Sequence, residues 1–228
     1  MARLARIVVP GLPHHVTARG NRREPIFFED GDQDLYCDIL AEQARKADVE
    51  VWAYCLMPNH VHLILTPATA DGLGRALGAA HRRWANFVNA RGRWTGHLFD
   101  GRFGCVAMDE AHLMAAVRYV AMNPVRARLC AQPEDWPWSS TRAHLAGEDD
   151  GLVAVRHVLG LWPDFAGLLA EAADAGAVAA LRAAESTGRP LGAPDFVSDL
   201  ERRLGRTLAR RAPGRKPNRP PEAQASLF

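Results

Sequence analysis

Apolar and polar positions along this chain switch between a period of two and a period near 3.6. His14-His15-Val16-Thr17-Ala18-Arg19-Gly20 is a β-branched stretch closed by a Gly20-Asn21 turn signal, and it predicts a strand. Asp32 to Lys46 has helical spacing, with Leu35, Ile39, Leu40 and Ala44 on one side. Val49 to Leu56 predicts a second strand, and Met57-Pro58-Asn59 connects it to a third that starts at His60. Leu73 to Ala90 predicts a long amphipathic helix, bounded by Thr69-Ala70-Asp71-Gly72 and Arg91-Gly92. His97 to Val106 is a fourth strand candidate. Asp109 is a plausible N-cap for a helix from Glu110 to about Met122, stopped by Asn123-Pro124.

The order strand, helix, strand, strand, helix, strand, helix predicts an α+β fold. Its core is a ferredoxin-like βαββαβ sheet with helices packed on one face, and a further helix is added after it. Composition shifts after Trp136-Pro137-Trp138, at Gly147-Glu148-Asp149-Asp150-Gly151. Three regions are expected: a main domain over 1–147, a small Ala- and Leu-rich helical C-terminal module over 148–211, and a basic tail over 212–228. The tail stretch 212–221 lacks the apolar residues a core needs and is expected to be disordered.

With 228 residues, 48% hydrophobic and 24% charged, the chain can bury a sizeable core. It has no apolar run near the ~20 residues that span a bilayer, and its first residues do not form a signal peptide. A cytoplasmic, nucleoid-associated location is expected. Cys37, Cys55, Cys105 and Cys130 are widely spaced, which argues against a cysteine-based zinc site. The net charge of +2 hides an asymmetry. Nine arginines lie between Arg75 and Arg128 against Asp100, Asp109 and Glu110, and eight basic residues with no acidic one lie between Arg202 and Arg219. A GC-rich genome accounts for arginine in place of lysine but not for the clustering, which is the footprint of a polyanion.

Within the third strand, His60 and His62 share a face while Val61, Leu63 and Leu65 point the other way, toward a core. Two imidazoles on one strand face are ready ligands for a divalent metal, although such a pair also arises by chance. Tyr119 and Asn123, four apart, lie one turn apart on one face of the added helix. On their own they also fit a half-buried tyrosine and a helix-terminal asparagine. Taken together the four residues suggest phosphoryl chemistry. A tyrosine can attack phosphorus when its ordinary pKa, about 10, is offset by a nearby cation. A metal held by His60, His62 and the Asn123 carboxamide oxygen would orient the phosphate for in-line attack. The product is a 5′-phosphotyrosine and a free 3′-hydroxyl, so cutting and rejoining need no ATP. Imidazole, amide and phosphate oxygens suit Mg²⁺ or Mn²⁺, the histidines tilting toward Mn²⁺.

The succession Met57-Pro58-Asn59-His60-Val61-His62, Tyr119 and Asn123-Pro124-Val125-Arg126-Ala127 resembles the HUH single-tyrosine transposases. It looks most like their REP-associated branch, and the likeness takes in residues 10–21 and Trp136-Pro137-Trp138-Ser139-Ser140, about residues 1 to 145 in all. The resemblance implies metal ligation by His60, His62 and Asn123, with Tyr119 as nucleophile. It also implies a single-stranded DNA hairpin with an adjoining guide tetranucleotide as substrate. His15 departs from the pattern, in which tyrosine is frequent; the departure is expected to affect packing or DNA contact rather than chemistry. Arg19, Arg22, Arg23, Arg82, Arg83 and Arg102 are candidate phosphate contacts, with Arg102 favoured for its place just before the added helix. Arg215 and Lys216, in a stretch resembling an AT-hook, are candidates for salt-sensitive DNA affinity. Trp84 and Phe87 are expected to face the core, and His112 is a weaker candidate as proton acceptor for the phenol.

Two alternatives stay open. The chain could be a hairpin-binding regulator that no longer cleaves, or a histidine-dependent nucleotide hydrolase. The latter generally needs a third or fourth histidine nearby, and position 64 is Ile. Whether the protein is a monomer or a homodimer, with Tyr119 acting in its own subunit or across the interface, is not fixed by these patterns.

Overall fold

The computed structural model describes residues 5–172 and 174–208. Its four strands are β1 (His14–Arg19), β2 (Val49–Met57), β3 (His60–Pro67) and β4 (Gly104–Ala107). They form one antiparallel sheet in the order β2-β3-β1-β4. The connecting helices are α1 (Asp32–Lys46) and α2 (Gly72–Gly92), and α3 (Glu110–Ala121) follows β4. This is the expected ferredoxin-like succession with a helix added after it. Asp109 caps α3 as expected, its carboxylate accepting from the His112 backbone N–H.

Strand alternation separates two cores. Val16, Ala18, Val61, Leu63 and Leu65 join Tyr36, Ile39 and Leu40 of α1 and Leu73, Leu77 and Trp84 of α2. Ala53, Cys55, Met57, Ile64 and Val106, on the opposite face, join Leu113, Val117 and Val120 of α3. The sheet is therefore covered on both faces, not one, because the α3 stripe of Leu113, Ala116, Val117 and Val120 is apolar enough to bury against it.

The chain continues through α4 (Asn123–Arg126), α5 (Thr141–Ala146), α6 (Arg156–Leu161), α7 (Phe165–Ala170), α8 (Ala175–Thr187) and α9 (Pro194–Leu204). Val158 of α6, Phe165 and Leu168 of α7, and Leu181 and Ala184 of α8 enter the same cluster as α3. The segment expected as a separate module thus shares a core with the sheet. Leu200 and Leu208 pack with Ile7 and Val9 in a third cluster.

Two backbone details place the site. Leu56 N–H donates to the Trp138 carbonyl, Ser140 Oγ accepts from Tyr54 N–H, and Trp136 Nε1 donates to the Leu56 carbonyl. The Trp136–Ser140 segment thereby covers the outer edge of β2, which would otherwise expose unpaired backbone groups. At the end of β1 a side chain on Gly20 would sit 2.1 Å from the Glu24 carbonyl oxygen, so only glycine lets the chain fold back toward Asn59.

Candidate functional site

The register pairs Thr17 with His62 and Arg19 with His60, so His15, Thr17, Arg19, His60 and His62 share the sheet face that α3 covers. His60 Nδ1 lies 2.7 Å from Asn59 Oδ1, and Asn59 Nδ2 donates to the Arg23 carbonyl at 2.8 Å. That second bond orients the amide. Its oxygen can only accept, so His60 carries its proton on Nδ1 and leaves the Nε2 lone pair free.

His62 Nδ1 is likewise engaged, 2.9 Å from His15 Nε2. Desolvation, with Arg19 adding to it, lowers His60 to about 4. Desolvation is also the main reason that His62 lies well below its ordinary 6.5. Both rings are therefore neutral at physiological pH, the state in which imidazole binds metal. Cys55, opposite His62 on β2, is buried, and that burial pushes its thiol pKa up.

Tyr119 comes down from α3 onto the rings of His62 and His15. Its ring centroid is 5.6 Å from that of His62 and 6.1 Å from that of His15, edge-on to each. These are histidines of the same chain, so the three rings meet within one subunit. Tyr119 is only 6% exposed. The Arg126 guanidinium lies over its ring at 3.9 Å and donates to the Tyr119 carbonyl and to Asn123 Oδ1. Asn123 is buried a turn beyond Tyr119, and its Nδ2 has no partner. From α8, Arg182 lies 5.8 Å from the Tyr119 ring, and a hydrogen bond to the tyrosine holds its pKa above the ordinary value. Glu185, a turn along α8, places Oε1 3.4 Å from His15 Nδ1. Burial raises its carboxyl to about 6. Ligand-type atoms of His15, His62 and Glu185 all lie within 4.8 Å of one another.

A groove of about 830 Å³ opens beside Glu185, lined among others by Arg6, Arg19, Arg102, Phe103 and Arg189. It brings together two of the expected phosphate contacts, Arg19 and Arg102. Arg22 and Arg23 form an exposed turn with positive φ of 55° and 63°, next to Asn59. Arg82 and Arg83 lie apart from these, on α2 and across the sheet from His62, and Arg83 pairs with Glu42 at 2.5 Å. Trp84 is buried as expected, but Phe87 is 39% exposed, because it lies at the rim of α2 under Arg91 rather than on its inner stripe. His112 is held by Asp109 at 2.6 Å, at the opposite end of α3 from Tyr119. Arg215 and Lys216 lie outside the described residues.

Sequence reading missed four residues around Tyr119. His15 is 1% exposed and bonded to His62, so it touches the candidate site directly. Arg126 was legible in principle, seven residues after Tyr119 and so two turns along the same face. Arg182 and Glu185 carry no local signal beyond their spacing of three in an alanine-rich helix.

A sequence model of the IS200-like transposases matches residues 8–123. No curated protein matches the chain. Among solved structures, a REP-associated tyrosine transposase bound to a REP hairpin superposes with a TM-score of 0.55 at 22% identity, over 68% of this chain and 90% of that one. A candidate transposase from Deinococcus radiodurans R1 gives a TM-score of 0.38 at 25% identity, over 54% of this chain and 97% of that one. The first of these shares the fold found here. Since the matched region takes in just over half the chain, from the approach to β1 through α3 to Asn123, the protein belongs to the IS200-like transposase family.

Proposed function

We propose that this chain is a divalent-metal-dependent single-stranded DNA endonuclease and strand transferase acting through a 5′-phosphotyrosine. One observation carries the reading: His60 and His62 both have Nδ1 engaged, leaving Nε2 of each to a metal, and Tyr119 stands edge-on beside His62. The donor set fits the ion. His60 and His62 would hold it through Nε2, and Asn123 Oδ1, which already accepts from Arg126, has a second lone pair to offer. When bound, Mg²⁺ or Mn²⁺ would act as a Lewis acid on the scissile phosphate.

The chain's own residues account for the rest. Tyr119 Oη attacks phosphorus, a Tyr–O–P bond forms, and the 3′-oxygen leaves and takes up a proton. Phosphoester replaces phosphoester, so a 3′-hydroxyl can reverse the step. Arg126 and Arg182 bring positive charge to the phenol and to the phosphate it attacks. Arg19 and Arg102, in the adjacent groove, are suited to hold the flanking backbone.

Hairpin DNA of the REP type is the proposed substrate, since a protein of this fold is described with such a hairpin bound. No helix among the described residues is long and apolar enough to cross a membrane, and a nucleoid-associated role in the cytoplasm suits the reading. The test is incubation with hairpin single strands from the repeats flanking the gene, with and without Mn²⁺. A covalent adduct resistant to denaturation is expected, and lost in Tyr119→Phe while hairpin binding persists. An adduct that survives in Y119F would sink the assignment. One observation favours a second reading, a regulator that binds hairpins without cutting: Tyr119 is nearly closed off beneath Arg126 and α8. Tight binding with no adduct in either Mg²⁺ or Mn²⁺ would select it.

A further inference from the structure

The proximity of His15, His62 and Glu185 suggests a shared metal site, but the ring geometry rules that out. The His15 and His62 rings are parallel within 2°, their centroids 5.1 Å apart and the facing nitrogens 2.9 Å apart. The difference is taken up by the two ring radii, so the rings lie end to end with the facing nitrogens pointed at each other. An ion between two opposed lone pairs needs about 2.1 Å on each side, or about 4 Å in all. The gap holds one proton, not a metal.

We propose that Glu185 and His15 form a hydrogen-bond relay that fixes His62 as its Nδ1–H tautomer and so presents His62 Nε2 to the metal. The inference rests on the reading of His60 and His62 as metal ligands. Two neutral imidazoles sharing one hydrogen bond can point it either way, and in one direction His62 carries its proton on Nε2 and cannot ligate. Only a group at the far end of the chain can choose. That group is Glu185: its Oε1 and His15 Nδ1 are both buried, neither is hydrogen-bonded, and they lie 3.4 Å apart, so a small closure of that gap satisfies both. A carboxylate only accepts. It therefore places a proton on His15 Nδ1, turns His15 Nε2 into an acceptor, and draws the His62 proton to Nδ1. Metal-bound histidines recur with a carboxylate or carbonyl on the other ring nitrogen, and losing it typically costs 10–100-fold in affinity. Here the carboxylate is one imidazole further out and comes from α8, beyond the family-matched residues 8–123.

The relay is a positioning device, and tautomer state reads it directly. Long-range ¹⁵N–¹H spectra of ¹⁵N-histidine-labelled, metal-free full chain are expected to show His62 with Nδ1 protonated and Nε2 bare. In Glu185→Leu the His62 signals shift toward the opposite tautomer, and Mn²⁺ affinity falls about 10- to 100-fold. Glu185→Ala, which leaves space instead of an apolar plug, does the same. His14, whose Nδ1 is fixed by the Leu12 carbonyl, keeps its tautomer and reports an intact fold. A His62 tautomer unchanged in both variants overturns the relay. Wild-type protein that fails to bind Mn²⁺ would instead overturn the metal reading, while the spectra still decide the relay.

Discussion

Arg126 lies over Tyr119, its guanidinium carbon 3.9 Å from the ring centroid, and ties that residue's carbonyl to the Asn123 side chain. One cation thereby sets both the orientation of the proposed nucleophile and that of the proposed third ligand. A planar guanidinium can stack and donate in two directions at once, whereas an ammonium cannot. Arg126→Lys is accordingly expected to slow adduct formation in single-turnover assays by about 10²-fold, the scale of losing one transition-state donor. Hairpin affinity should change far less. Equal losses in binding and in rate would show that Arg126 serves the fold alone.

His60 depends on Asn59 as His62 does on His15. Asn59→Leu removes the acceptor at His60 Nδ1, and Mn²⁺ affinity by calorimetry is expected to drop about tenfold or more. Unchanged affinity would mean that the His60 tautomer is set elsewhere.

The two arginine groups should separate on salt dependence. Arg102→Ala is expected to weaken hairpin binding and to reduce the slope of log affinity against log salt by about one, as for a lost phosphate contact. Arg83→Ala, across the sheet and paired with Glu42, should leave the slope unchanged. A larger effect at Arg83 would relocate the DNA path to α2.

Acid should destabilise the protein between about pH 6.5 and pH 4. His14 and His15 are buried neutral, lowered by desolvation from 6.5 to about 4 and about 3. In that window the unfolded chain binds protons that the folded one refuses, so stability rises with pH and is lost as pH falls. At about 1.4 kcal/mol per unit, each contributes roughly a few kcal/mol. Glu185, raised to about 6, acts in the opposite sense between its ordinary 4.5 and 6 but is a single group. Melting temperatures measured from pH 7.5 to 4.5 should fall steeply, and His14→Gln should flatten the curve. A flat profile in the parent protein would contradict the buried neutral histidines.

What was legible in the sequence was local. Alternation at Val61, Leu63 and Leu65 against His60 and His62 assigned their faces, and Asp109 marked the start of α3. Spacing placed Tyr119 and Asn123 together. The parts that escaped are long-range. His15 looked like a substitution in a strand because its partner is 47 residues away on β3. Arg182 and Glu185 sit in a helix whose composition advertises only helicity, and their role exists only once Leu181 and Ala184 dock α8 on the α3 core. The second covered face of the sheet was missed for the same reason, since an apolar stripe does not name what it packs against.

β1 carries two adjacent histidines with opposite duties. His14 turns to one side, accepting from Val9 N–H and bonding the Leu12 carbonyl, while His15 turns to the other and meets His62. A one-residue slip would exchange their faces, along with those of Val16, Thr17, Ala18 and Arg19. This strand should therefore tolerate many single substitutions better than any insertion or deletion, and its length, more than its composition, is what a variant library would find immutable.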